Sequence, residues 1–90
     1  MKIQLAMAAS KRLVPTGHTM AGYEIQKDGS PLMTIGGKST WPSIESELHR
    51  ALSSVGDVHL IIWIRDKAGD MTTTKTLYTI EDGQVVEKGN

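Results

Sequence analysis

Apolar positions in this chain keep two rhythms, one of period two and one of three to four, and each marks a different element. Ile3, Leu5 and Met7 alternate with Lys2, Gln4 and Ala6, which predicts a strand with one wet face. The run "AGYEIQKDGSPLMTI" alternates on both sides of Asp28-Gly29. Such a pair closes a two-residue hairpin, because glycine accepts the positive φ that the turn requires. Folding about it sets Lys27 opposite Ser30 and Ile25 opposite Leu32. Pro31 has no N–H to give to a ladder, so its strand belongs at a sheet edge. Between the first two strands, residues 10–19 carry Pro15 and Gly17 and read as a loop.

The rhythm changes at Trp41. Trp41, Ile44, Leu48, Ala51, Leu52 and Val55 step by threes and fours, which predicts an amphipathic helix over 41–55. Glu45, Glu47, Arg50 and Ser53 are expected on its wet side. Ser39 or Thr40 can cap it, Pro42 suits the first turn, and Gly56 should end it. A period of two then returns. Val58, Leu60, Ile62 and Ile64 form an aliphatic row, with His59, Ile61, Trp63 and Arg65 on the other face. Lys67-Ala68-Gly69 fits a three-residue hairpin loop, pairing Ile64 with Thr72, Trp63 with Thr73 and Leu60 with Thr76. Asp82-Gly83 makes a last two-residue turn, pairing Ile80 with Val85. The order β-β-β-α-β-β-β, joined mostly by hairpins, predicts an α+β fold. Its sheet should be largely antiparallel and five- to six-stranded, with the helix on the aliphatic face.

Length adds one constraint: 90 residues make a single domain, 1–90, with one modest core. Absence of cysteine excludes disulfides, thiolate chemistry and Cys-ligated metals, and fits a reducing, cytoplasmic setting. The start is too short in its apolar stretch, and too quickly followed by Lys11 and Arg12, for a signal peptide. No stretch approaches a membrane span. Ten basic and ten acidic residues cancel, which removes the broad positive field of a strong nucleic-acid binder. The distribution is uneven, since Lys2, Lys11 and Arg12 are unopposed by any acid up to residue 23.

Gly36-Gly37-Lys38-Ser39-Thr40 resembles a phosphate loop only in part. Such a loop needs a further glycine where Leu32 stands, and a helix beginning at the lysine. Here Trp41 precedes Pro42 and is pushed away from helical angles. The segment reads as a strand exit and helix cap, with at most a weak anion site at Lys38. Asp57 and His59 share a strand face, but two ligands without a third make no metal centre. His49 follows Glu45 by four residues, an expected solvated pair. No nucleophile elbow or triad is legible, and Asp28, Asp66, Asp70 and Asp82 have turn-forming roles. Catalytic residues, cofactors and metals are therefore not expected.

Trp63 is left without an assigned place. It lies on the sheet face away from the helix, flanked by Ile61 and Arg65, with Met71, Lys75 and Leu77 from the paired strand. A large aromatic and an arginine on a partly apolar face suit a partner surface. In the other arrangement, residues 10–19 fold over the indole. The expected function is a small non-enzymatic protein-binding module, an adaptor or an inhibitor of the kind mobile elements encode. A weak nucleic-acid binder using Lys11, Arg12, Lys38 and Trp63 is the second expectation. A homodimer or larger self-assembly is the third.

Overall fold

The computed structural model describes residues 13–37 and 39–89. The strand expected around Ile3–Met7 lies outside them. The described chain runs β1 (Thr19–Lys27), β2 (Ser30–Gly36), α1 (Trp41–Val55), β3 (Val58–Arg65), β4 (Met71–Glu81) and β5 (Gln84–Gly89). The five strands form one antiparallel sheet in the order β2-β1-β3-β4-β5, with α1 packed against one face.

The turns form where the sequence places special residues. Asp28 and Gly29 have φ of 53° and 82°, and Asp82 and Gly83 have 51° and 76°, the paired positive angles of tight hairpins. In the β3–β4 loop, Gly69 takes φ 89°. The Asp66 carboxylate accepts from Ala68 N–H at 2.9 Å and Asp70 N–H at 3.0 Å, fixing that loop from inside. The helix begins on the Thr40 cap, whose hydroxyl accepts from Ser43 N–H at 3.3 Å. It ends at Gly56, whose φ of 84° and ψ of −154° are open to glycine alone, and whose N–H donates to Leu52 O at 3.1 Å.

The core lies between α1 and the central strands. Val58, Leu60, Ile62 and Ile64 meet Ile44, Leu48 and Leu52, with Tyr23 and Ile25 from β1 and Tyr78 from β4. Leu13 also joins this cluster and Val14 packs on it, so this part of the 10–19 loop serves the helix side of the sheet.

Two local expectations are corrected. Ile25 pairs with Met33, not Leu32, because the ladder shifts between Ile25 and Gln26. Pro31 and Leu32 share one place in the register, and a bulge of this kind re-aims the strand beyond it. Glu45 is only 3% exposed, so it is not a solvated residue. It stands four residues after Trp41 and three before Leu48, on the flank of the apolar stripe. The helix is turned toward that flank, leaving Ala51 at the other only partly buried. A solvated Glu45–His49 pair is thereby excluded.

Candidate functional site

Among the described residues β2 ends the sheet, which suits Pro31, and it carries no charged residue: Ser30, Pro31, Leu32, Met33, Thr34, Ile35 and Gly36. The other edge strand, β5, carries Glu87 and Lys88, both exposed. Charges on an edge discourage pairing with foreign strands, so the two edges are not equivalent. Beside β2 a groove of about 410 Å³ runs between β1, β2 and the last turns of α1. Ile25, Leu32, Met33, Ala51 and Val55 give it an apolar lining, and Glu47 and Arg50 stand at its rim as a 3.8 Å ion pair. Among the described residues, four large apolar side chains are strongly exposed: Leu32 (48%), Ile35 (36%), Val55 (38%) and Met71 (50%). The first three gather at this groove and edge. Tyr23 pairs with Ile35 and is buried next to the groove. Burial, and then the Glu47 carboxylate, push its phenol above the ordinary range.

The opposite sheet face holds the residues singled out around Trp63. The register brings Ile61 beside Lys75, Trp63 beside Thr73 and Arg65 beside Met71. Arg65, Lys75 and Met71 are exposed, while Ile61 is 8% exposed and offers a partner little. Trp63 is half-buried, with its indole against Gly22 of β1. A Cβ built on Gly22 would lie 3.3 Å from Trp63 Cε3. The indole thus fills the notch that glycine leaves in the neighbouring strand. Lys11, Arg12 and Lys38, the cations of the nucleic-acid reading, lie outside the described residues. Gly37, in the glycine-lysine segment, commits its N–H to Ala21 O at 2.7 Å, where it continues the β1–β2 ladder.

Asp57 binds cations of the chain itself. Its carbonyl accepts from Lys27 Nζ at 3.1 Å and its carboxylate from Lys88 Nζ at 3.2 Å, which ties the ends of β1 and β5 to the start of β3. Hydrogen bonds from Thr79 and then Lys88 hold its carboxyl below the usual carboxylate range. A depressed carboxyl contributes stability that is present above its unfolded pKa. That contribution disappears as the pH falls through the lower folded value. Asp57→Asn should therefore lose less stability on acidification than the wild type. Denaturant midpoints taken from neutral pH into acid measure the effect, and parallel curves would remove Asp57 from the account.

Sequence reasoning missed the groove. Its lining residues were each legible as helix or strand, but their meeting depends on β2 lying outside β1, a fact of strand order. No helix among the described residues is long and apolar enough to cross a membrane. No protein-family model, curated protein or solved structure matches this chain.

Proposed function

We propose that this chain is a small protein-binding module without catalytic activity, and that it docks an extended segment of its partner along β2. One observation supports this above all: Leu32, Ile35 and Val55 stand exposed around a groove beside an uncharged sheet edge. Strand addition draws affinity from main-chain hydrogen bonds and specificity from pockets for alternate side chains, and this edge supplies both. A reducing compartment such as the cytoplasm fits a chain without cysteine. Adaptor and inhibitor are two outcomes of the same binding, decided by what the partner strand belongs to.

The immobilised protein should enrich, from a displayed library of short random peptides, sequences with alternating apolar residues. Leu32→Asp should abolish that enrichment while leaving the melting temperature nearly unchanged, since exposed positions tolerate substitution. Failure to select any peptide, or selection unaffected by Leu32→Asp, would sink this reading.

A second reading places the partner on the Trp63 face, where exposed Met71, Arg65 and Lys75 surround the half-buried indole. Under that reading, Met71→Asp abolishes binding and Leu32→Asp does not.

A further inference from the structure

The β2 edge has a symmetry that its sequence alone does not display. In an antiparallel ladder, facing residues alternate between pairs that exchange both backbone bonds and pairs that exchange none. Gly37 N–H bonds to Ala21 O at 2.7 Å, and the register steps evenly from there to Ile25 and Met33. Tyr23–Ile35 and Ile25–Met33 are therefore bonded pairs. Thr34 falls between them and turns its N–H and C=O groups outward, as does Gly36 between Ile35 and Gly37. The Thr34 hydroxyl supports this assignment. It donates to Glu24 Oε1 at 3.2 Å across a non-bonded pair, where facing side chains come closest. Thr34 is thus an outward-facing position in the even stretch of the ladder, with apolar Met33 and Ile35 on either side, both on the helix face of the sheet.

We infer that the occupant of this edge is a second copy of the same chain, paired antiparallel through β2 about a twofold axis at Thr34. This inference rests on the reading of β2 as the docking edge. An axis normal to the sheet sets Thr34 of each copy against the other as a bonded pair. Met33 of one copy then faces Ile35 of the other on the helix face, and each exposed Ile35 gains a cover. The two five-stranded sheets become one of ten strands, with both helices on the same side and the two grooves facing each other across the joint. An odd offset would seat helix-face residues opposite open-face ones, so the pleat itself selects this family of registers.

Charge permits the pairing. Ten basic and ten acidic residues leave no net repulsion between copies. β2 carries no charge of its own, and the groove rim carries one of each sign in Glu47 and Arg50. The devices that guard this edge, Pro31 and the bulge, sit at its hairpin end and leave Met33 to Gly36 open.

A cysteine placed on the axis tests the register, and the chain has none to confuse the result. Facing residues of a bonded pair have Cα atoms about 5.5 Å apart. A disulfide can span that distance. Thr34→Cys should form a disulfide-linked dimer on mild oxidation of the full chain. Thr73→Cys, exposed on the interior strand β4, should stay monomeric in non-reducing electrophoresis. Sedimentation of the cysteine-free chain should show a concentration-dependent dimer. Ile35→Lys should weaken it about tenfold or more, because it buries two like charges near the axis. Met71→Lys, on the opposite sheet face, should leave it unchanged. Melting curves confirm that the variants fold, and Leu32→Lys takes the place of Ile35→Lys should that variant not fold. A chain that stays monomeric at high concentration overturns the inference. So does a dimer indifferent to the β2 substitutions, or cross-linking of Thr73→Cys as efficient as that of Thr34→Cys. If short peptides still bind at β2 while the chain stays monomeric, the docking edge stands and only its occupant is wrong. Absence of both removes the docking edge as well.

Discussion

Leu48→Ala should lower the stability of the domain by about 2–5 kcal/mol. Leu48 is completely buried at the centre of the helix stripe, in the cluster that includes Leu60, Ile62 and Tyr78. Truncation to alanine removes its transfer free energy and also leaves a cavity, because β-sheet neighbours on a ladder cannot collapse far into the space. For a chain of this length, total stability lies near about 5–10 kcal/mol, so the loss could leave most molecules unfolded at body temperature. Val55→Ala is the natural comparison, since Val55 lies on the same predicted stripe but is exposed. It should cost under about 0.5 kcal/mol, the usual scale for surface positions. Urea denaturation of the two variants measures the contrast. Equal midpoints would mean that α1 does not pack as described.

Gly22→Ala should be almost as harmful, for the opposite reason. A Cβ there would lie 2.6 Å from Ile35 O, 3.3 Å from Gly36 Cα and 3.3 Å from the Trp63 indole. The first two contacts are backbone of β2, which cannot swing aside as a flexible side chain can. The strand must move, and overpacking of this kind costs about 1–3 kcal/mol. Gly36→Ala meets nothing within 4 Å and should be nearly neutral. Trp63→Ala offers a further discrimination. Its removal clears one of the three contacts but not the shortest, so Gly22→Ala should remain destabilising in a Trp63→Ala background. Calorimetric melts of the two singles and the double decide this. Full rescue by Trp63→Ala would place the conflict at the indole and not at β2.

The legible parts of this fold were local. Asp28-Gly29, Asp82-Gly83 and Gly69 announced their turns because few residues tolerate those angles, and the turns then set the β3–β4 and β4–β5 registers. The helix bounds followed from Pro42, Gly56 and the stripe between them. What stayed hidden depends on contacts between distant segments. The bulge at Leu32 needs a partner strand to be defined. Burial of Glu45 depends on the angle at which α1 rolls over the sheet, which a stripe of mixed width leaves open. The environment of Trp63 requires β1 to lie beside β3, and only then does Gly22 become the floor beneath an indole. The groove is the furthest from the sequence, because it exists only where α1 leaves β1 and β2 uncovered.

The strand order has a kinetic meaning. β3, β4 and β5 are joined by short turns, and so are β1 and β2, but the two groups meet only where β1 pairs with β3. That ladder sets Gln26 beside His59 at its near end and Thr19 beside Arg65 at its far end. The whole of β2 and α1 must therefore be looped out before it can close. Loop-closure entropy is charged once, at this single seam, and topologies with such non-local pairings fold more slowly than local ones. Since β2 reaches the rest of the sheet only through β1, the groove that β1 and β2 share with α1 is completed only by that closure, and whatever opens the seam removes the groove with it.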